Sequence, residues 1–104
     1  MRYEVRTTAV FDRWLKGLKD RRAVRAILLR IARAEAGHLG DTKPVGGGIH
    51  EMRLFVGKGY RIYFTIREDT LLLLLNGGDK SNKKQRQIDI QRATRILQEI
   101  EDSA

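Results

Sequence analysis

The stretch that decides the fold is GYRIYFTIREDTLLLLL, residues 59–75. In its first half apolar residues recur at every second position, which is the period of a β-strand with one buried face: Tyr60, Ile62, Phe64 and Ile66. A polar turn at residues 68–70 follows, and the unbroken leucines of residues 71–75 then predict a strand that is buried on both faces. We therefore expect two consecutive strands, the second in a central or helix-covered position.

The residues before this stretch extend the sheet. Met52, Leu54 and Val56 alternate with more polar positions, and the turn at residues 57–59 contains the glycines that a hairpin needs. Residues 3–7 predict a short first strand. Residues 37–48 are rich in glycine and contain Pro44, the only proline, so they predict a loop within the domain.

Three segments have the spacing of helices with one buried face. The first contains Phe11, Trp14, Leu15 and Leu18 after a cap at Thr7 or Thr8, and the second contains Val24, Ile27, Leu28 and Ile31 after a cap at Asp20. The last contains Ile90, Ala93, Leu97 and Ile100, with Asp89 near its start. The order β-α-α-β-β-β-α predicts a single α+β domain over residues 1–104: an antiparallel sheet of about four strands with a helical hairpin and a C-terminal helix.

Composition narrows the class of protein. With 41% hydrophobic and 33% charged residues the chain should fold, and its longest apolar run, residues 71–75, is far too short to cross a bilayer. The chain contains no cysteine and two histidines, so we expect neither a disulfide nor a metal site, and no other cofactor. The N-terminus does not resemble a signal peptide, and we expect a cytoplasmic protein that does not act at a membrane.

Charge indicates the kind of partner. The net charge of +8 attracts polyanions. Basic residues exceed acidic ones by six over residues 1–36 and by four over residues 37–87, whereas residues 88–104 carry a net charge of −2. On the second helix four arginines lie opposite the apolar face: Arg22, Arg25, Arg30 and Arg33. This stripe is either a solvated helix face or a binding surface, and Arg22 and Arg25 are candidates for RNA contact.

Reactive groups concentrate on one face of the predicted hairpin. Side chains alternate along a strand, so Glu51, Arg53 and Phe55 share one face of their strand, and Arg61 and Tyr63 share one face of the next. Further positive charge follows the third strand: Lys80 on a glycine-rich turn, then Lys83, Lys84 and Arg86. If the two strand faces coincide, one surface combines a carboxylate, two guanidinium groups and a phenol.

These residue types suit RNA cleavage without a metal. The 2′-hydroxyl must lose a proton, the phosphorane must be neutralised, and the leaving 5′-oxygen must gain a proton. Glu51 is the candidate base because it is the only carboxylate on this strand pair outside the turns. In this scheme Arg61 stabilises the phosphorane, Arg53 holds a phosphate and Lys80 supplies charge or a proton.

Simpler interpretations of the same residues remain open. Tyr63 or Phe55 would stack on an unpaired base, but Tyr63 would equally serve to pack the sheet. Arg53 and Arg61 would also be explained as solvated strand residues paired with Glu51. His50 should point to the other face and away from the chemistry.

Three segments resemble the RelE/ParE toxin superfamily, specifically its HigB-like addiction module killer branch: residues 11–15, FDRWL; residues 59–64, GYRIYF; and residues 73–81, LLLNGGDKS. The resemblance covers nearly the whole chain. It implies a RelE-like (microbial RNase-like) fold and cleavage of messenger RNA, usually on the translating 70S ribosome. It also implies a cognate antitoxin encoded beside the toxin, with a HigA-like helix-turn-helix protein expected, and hence a hetero-oligomeric toxin–antitoxin complex.

The resemblance also carries roles to individual positions. Arg61 matches the strand arginine that contacts the scissile phosphate in RelE-like nucleases, and Lys80 occupies the basic position after the last strand. Arg53 matches a basic residue on the preceding strand after a one-residue shift, and Glu51 stands where some members carry a lysine and others a carboxylate. This sequence departs from the family near Arg86, where RelE has a tyrosine that helps activate the 2′-hydroxyl.

Two other functions compete with an endoribonuclease toxin. ParE-like members share the fold, lack the nuclease residues and inhibit DNA gyrase; the set of Glu51, Arg53, Arg61 and Lys80 argues against that reading. A noncatalytic nucleic-acid-binding module would need only the net charge.

Overall fold

The computed structural model describes residues 2–80 and 82–103 and contains a five-stranded sheet and three helices. In chain order the elements are β1 (Glu4–Thr7), α1 (Ala9–Lys16), α2 (Arg21–Glu35), β2 (Thr42–Gly46), β3 (Ile49–Leu54), β4 (Tyr60–Arg67), β5 (Leu71–Asp79) and α3 (Lys83–Asp102). The α+β class, the helical hairpin and the C-terminal helix are confirmed. The sheet has one strand more than expected.

The sheet has the strand order β1-β5-β4-β3-β2. β1 runs parallel to β5 and all other neighbours are antiparallel, so the sheet is mixed and not purely antiparallel as predicted. β5 lies between β1 and β4, and its leucines at positions 72–75 are buried. The continuous apolar run therefore marks a strand covered on both faces, as expected.

The additional strand, β2, lies within residues 37–48, where the sequence predicted only a loop. Glycines and Pro44 conceal it, because both disfavour a strand. β2 is an edge strand that pairs only with β3, and proline is tolerated at an edge because its missing N–H leaves no partner unsatisfied on the outer side. A register shift between Pro44 and Gly46 bends the strand before the turn to β3.

β5 is also longer than the sequence suggested, since it continues through Gly77 and Gly78, which we had expected to end it. These glycines allow close approach instead of a turn. A Cβ atom on Gly77 would lie 2.4 Å from the ring of Trp14, and one on Gly78 would lie 2.3 Å from Oδ2 of Asp89. The glycines therefore seat α1 and α3 on opposite faces of the same strand. Ser81, the last residue of the segment LLLNGGDKS (residues 73–81), lies outside the described residues.

The predicted helix caps match the structure, whereas some residues predicted to lie on buried helix faces do not. Thr8 caps α1 and Asp20 caps α2, each side chain accepting hydrogen bonds from backbone N–H groups of the first turn. Leu28, predicted to be buried, is 51% exposed, because Ala23, Ile27 and Ala34 form the buried face of α2. Asp89 is not near the start of α3, which begins at Lys83, six residues earlier.

Two cores lie on the two faces of the sheet. The larger one joins the sheet to α1 and α2 and includes Phe11, Ile27, Met52, Ile62 and Phe64. The smaller one joins the sheet to α3 and includes Ile49, Tyr63, Leu73, Leu75, Ala93 and Leu97. Beyond the smaller core, the α3 side of the sheet carries polar groups, and these form the site. Within the described residues, no helix combines the length and the apolar character that crossing a bilayer requires.

Candidate functional site

A basic groove of about 400 Å³ opens where the α3 face of the sheet meets the first turns of α3. We call it the basic groove, defined by its lining residues Lys43, Glu51, Arg53, Arg61, Lys80, Asn82, Lys83 and Arg86. All four predicted catalytic residues are among them. Six of the eight lining side chains are lysine or arginine, so the groove suits an anion.

Strand register brings these side chains together. Lys43 of β2 lies opposite Glu51 of β3, and Arg53 of β3 lies opposite Arg61 of β4. Directly opposed like charges destabilise a sheet. The pairing of Arg53 with Arg61 therefore costs stability, which is reasonable where the guanidinium groups serve a ligand and not the fold.

Glu51 is the centre of the site, and its side chain is only 1% exposed. Arg86 donates from Nε to Glu51 Oε2 at 2.9 Å, and the Nε of Arg61 lies 3.5 Å from the same oxygen. A buried carboxylate requires such partners, because an unpaired charge in the interior is very costly. Glu51 therefore holds two guanidinium groups side by side at the floor of the groove. Arg61 retains donor capacity, because its buried Nε makes no hydrogen bond of normal length.

Arg53 points toward the rim. Its Nη2 donates to Asp41 Oδ1 at 2.9 Å, and this hydrogen bond together with the charge of Asp41 raises the pKa of Arg53. Arg53 thus pairs mainly with Asp41 and not with Glu51, the partner that the sequence suggested. One face of its guanidinium group stays accessible at the rim, where its side chain is 36% exposed.

Arg30 does not belong to the solvated arginine stripe, where the sequence placed it. Its guanidinium group donates to three backbone carbonyls, those of Leu39 at 3.0 Å, Asp41 at 3.0 Å and Arg53 at 2.9 Å. Burial lowers the pKa of Arg30, and the charge of nearby Arg33 acts in the same direction. Arg30 therefore ties α2 to the loop before β2 and to the end of β3.

The two aromatic candidates for base stacking have different fates. Tyr63 is 1% exposed and packs in the smaller core, so its ring cannot stack on a base in this conformation, which corrects the sequence-based expectation. Burial, followed by the nearby charges of Glu51 and Asp89, raises the pKa of Tyr63. Phe55 is 69% exposed just after β3, and the Nζ of Lys80 lies 5.0 Å from its ring centroid.

The remaining predicted RNA contacts divide by position. Lys83 and Arg86 line the basic groove, whereas exposed Lys84 does not. Arg22 and Arg25 lie on α2, which packs against the opposite face of the sheet, so they do not form part of this groove. His50 stacks on Phe64 at a centroid distance of 5.4 Å, on that opposite face, as expected.

Sequence analysis missed two residues that line the groove, Lys43 and Asn82. Lys43 was missed because β2 was not recognised. Asn82 carried a usable signal: asparagine is a preferred helix cap, and its side chain accepts a hydrogen bond from the backbone N–H of Gln85 at 2.8 Å. Recognising this cap would have set the start of α3 at Lys83.

The start of α3 concentrates positive charge in an unfavourable place. The first turn contains no acidic residue, and Lys83, Lys84 and Arg86 lie where the helix dipole is also positive. The last turn contains no basic residue and carries Glu99, Glu101 and Asp102. Both ends therefore oppose the dipole, and the N-terminal end is suited to an anion held in the basic groove.

Asp89 lies behind the basic groove, against Gly78, in a smaller pocket of about 350 Å³. Burial raises the pKa of Asp89, and a hydrogen bond from Gln85 at 3.0 Å acts in the opposite direction. Its backbone carbonyl accepts a hydrogen bond from buried Asn76 at 3.1 Å. Asp89 thus fastens α3 to β5. Across residues 2–80 and 82–103, no group of three or more His, Asp or Glu side chains could hold a metal ion.

Two solved structures have a fold similar to that of this chain. The chain has a TM-score of 0.63 to a chain in the crystal structure of the toxin–antitoxin complex RelBE2 of Mycobacterium tuberculosis, with 24% identity, covering 77% of this chain and all of the other. It has a TM-score of 0.53 to a chain in the RelB–RelE antitoxin–toxin complex of Methanococcus jannaschii, with 19% identity over 81% and 95% of the two chains. The RelE-like fold is thereby confirmed.

An uncharacterized protein of Haemophilus influenzae is 42% identical over 100 residues, which cover 96% of this chain and 98% of that protein. Residues 13–98 match the family described as "Phage derived protein Gp49-like (DUF891)". Because the match spans most of the chain and includes every residue of the basic groove, the chain belongs to the Gp49-like family of phage-derived proteins.

Proposed function

We propose that this protein is the toxin of a toxin–antitoxin pair and that, as one domain over residues 1–104, it cleaves RNA in the basic groove, which we call the RNA groove from here on. The observation that carries the proposal is the convergence of Arg61 and Arg86 on buried Glu51, inside a groove lined otherwise by Lys43, Arg53, Lys80 and Lys83. The fold shared with chains of two toxin–antitoxin complexes supports the toxin role.

The proposed reaction is a transesterification that needs no metal. The 2′-oxygen attacks the adjacent phosphorus and the bond from phosphorus to the 5′-oxygen breaks, leaving a 2′,3′-cyclic phosphate and a free 5′-hydroxyl. Arg61 and Arg86 stabilise the phosphorane. Arg61 requires little reorganisation because it is already held beside Glu51, whereas Arg86 moves from the carboxylate to the bound phosphate. Lys80 supplies the proton to the leaving 5′-oxygen, and Arg53 and Lys83 hold flanking phosphates.

Glu51 takes the proton of the 2′-hydroxyl in this scheme, under one structural condition. In the free protein a guanidinium group approaches both of its oxygens: Arg86 Nε lies 2.9 Å from Oε2 and Arg86 Nη2 lies 3.5 Å from Oε1. A bound phosphate would compete for Arg86 and draw it off the carboxylate. Substrate binding would thus uncover the base, and without substrate Glu51 would only position the two arginines.

The resemblance of three segments to HigB-like toxins supports a more specific function. We propose a HigB-like enzyme that cleaves messenger RNA on the 70S ribosome in the cytoplasm and that a cognate antitoxin, a HigA-like helix-turn-helix protein, neutralises in a hetero-oligomeric complex. The exposed arginines of α2, Arg22 and Arg25, are available for contacts outside the RNA groove.

A second candidate is a noncatalytic RNA-binding module. It is favoured by the burial of Glu51, whose side chain is 1% exposed and paired with both neighbouring arginines. If Arg86 never leaves Glu51, the groove binds a phosphate without a base to start cleavage.

The test is to add the purified protein to a translation reaction and to map new RNA 5′-ends by sequencing. Wild-type protein should produce defined cuts, and Arg61→Ala should lower the cleavage rate by roughly 10²- to 10³-fold, as for other preorganised donors to a transition state. Arg67→Ala is the matched control. Arg67 lies on the same strand and face as Arg61, about 20 Å along β4, and outside the groove.

Each outcome has a clear meaning. Equal loss in both variants would attribute the effect to general charge and contradict the assigned role of Arg61. Binding of RNA without cuts, either free or on ribosomes, would favour the noncatalytic module. Intact RNA together with inhibition of gyrase supercoiling would favour a ParE-like function.

A further inference from the structure

A second surface lies where α2 meets the end of β3, and it combines exposed apolar side chains with arginines. A groove of about 220 Å³, the α2 groove, is lined by Ala26, Leu29, Arg33, Phe55 and Val56 among others. Leu29 is 54% exposed and Phe55 is 69% exposed. Large apolar side chains that share one exposed groove commonly mark a site of interaction with another protein.

A rim of positive charge accompanies this apolar floor. Arg22, Arg25 and Arg33 lie seven residues before, four before and four after Leu29, so they share its face of α2. None of these three arginines takes part in an ion pair among residues 2–80 and 82–103. The fold therefore leaves their charge uncompensated beside exposed apolar side chains.

The groove is also rigid. Arg30, on α2, donates hydrogen bonds to the backbone carbonyls of Asp41 at 3.0 Å and Arg53 at 2.9 Å. These bonds fix α2 against the strand end that carries Phe55. A preformed groove loses little conformational entropy when a partner binds, which favours affinity.

We propose that the α2 groove binds an acidic amphipathic helix of the cognate antitoxin, an inference that rests on the proposed function. Apolar residues at helical spacing would cover Leu29 and Phe55, and carboxylates on the flanks would pair with the arginine rim. Leu29 distinguishes a helix from RNA as the occupant. Phe55 and the arginines would suit either ligand, but an exposed aliphatic side chain gains from burial against a protein and offers RNA neither stacking nor a polar contact.

Occupation of this groove would reach the RNA groove through one shared contact. Lys80 lies 5.0 Å above the ring of Phe55 and also lines the RNA groove. A helix that buries Phe55 would cover Lys80 as well. The antitoxin would thus block the entrance to the RNA groove while α3 remains docked and Arg86 stays on Glu51.

The experiment measures binding of the purified protein to the product of the adjoining reading frame by isothermal titration calorimetry. Leu29→Glu should weaken binding by roughly 10- to 100-fold, because a leucine would otherwise be buried against the partner. Leu28→Glu is the matched control, since Leu28 is 51% exposed on the same helix and lies outside the groove. Leu29→Glu should still cleave RNA at the wild-type rate, and thermal unfolding checks that both variants are folded.

The outcomes separate the two proposals. Equal affinity of wild type and Leu29→Glu would overturn the docking site and leave the toxin assignment intact. Failure of the wild-type protein to bind the adjoining gene product would overturn both the antitoxin partner and the docking site, while RNA cleavage would still be judged by its own assay. If Leu29→Glu weakened binding of a 20-nucleotide single-stranded RNA and left protein binding unchanged, the groove would belong to RNA.

Discussion

Replacing Gly78 by alanine tests how α3 is seated on the sheet. The new Cβ atom would lie 2.3 Å from Oδ2 and 3.0 Å from Cγ of Asp89, whereas ordinary contacts begin at 3.4 Å. The overlap of about 1 Å cannot be relieved cheaply, because Asp89 is 7% exposed and accepts a hydrogen bond from Gln85. Either the aspartate abandons its position or α3 lifts from β5.

The expected cost is that of overpacking a tight core, about 1–3 kcal/mol in the free energy of unfolding. For a chain of this length that corresponds to a fall in Tm of roughly 4–20 °C. RNA cleavage should fall even under conditions where the variant is fully folded, because α3 also carries Arg86, whose Nε lies 2.9 Å from Glu51 Oε2. A shift of the helix by even a fraction of the overlap would misplace that guanidinium group.

The assay combines urea unfolding, followed by circular dichroism, with RNA cleavage under conditions where each variant is folded. Asp89→Ala removes the clashing carboxylate. Adding Gly78→Ala to Asp89→Ala should therefore cost much less stability than adding Gly78→Ala to the wild-type protein. Gly17→Ala is the control, because Gly17 has a helical φ of −82° and a change below about 1 kcal/mol is expected there. Strictly additive effects of Gly78→Ala and Asp89→Ala would refute the steric argument.

Two further predictions concern stability. Burial raises the pKa of Asp89, so the folded state binds this proton more tightly than the unfolded chain does, and stability falls as pH rises above about 4, the unfolded value. Asp89→Asn should therefore raise Tm at pH 7, and this gain should disappear near pH 4. Asp79→Asn, which changes a less buried carboxylate, should give no such gain. A gain in Tm that persists unchanged in acid would contradict the role given to Asp89. Arg30→Lys should cost about 2–3 kcal/mol in urea unfolding, because three separate nitrogens of the guanidinium group each reach a different carbonyl, and the single nitrogen of an ammonium group cannot lie within reach of all three. Arg33→Lys should cost less than about 0.5 kcal/mol, and equal effects would show that the three hydrogen bonds contribute little.

The elements with regular patterns were predictable from local rules. Alternation identified β3 and β4, the leucine run identified the doubly covered β5, and Asp20 marked the start of α2. β2 was missed because its pairing is with a neighbour in space, and glycine and proline offer no periodic signal. The end of β5 was misplaced for a related reason: Gly77 and Gly78 suggest a turn locally but are required by the side chains above them.

The candidate site divides in the same way. The sequence by itself determined that Glu51 shares a strand face with Arg53, and Arg61 with Tyr63, because strand periodicity fixes which face a side chain takes. The register of β3 against β4 then placed the two faces on one surface. Only the tertiary structure decided the partners, since these come from segments distant along the chain: Arg86 reaches Glu51 from α3, and Asp41 takes Arg53. Periodicity assigns a side chain to a face, and packing between elements decides whether that face is open, so Tyr63 lies buried under α3 beside an open groove.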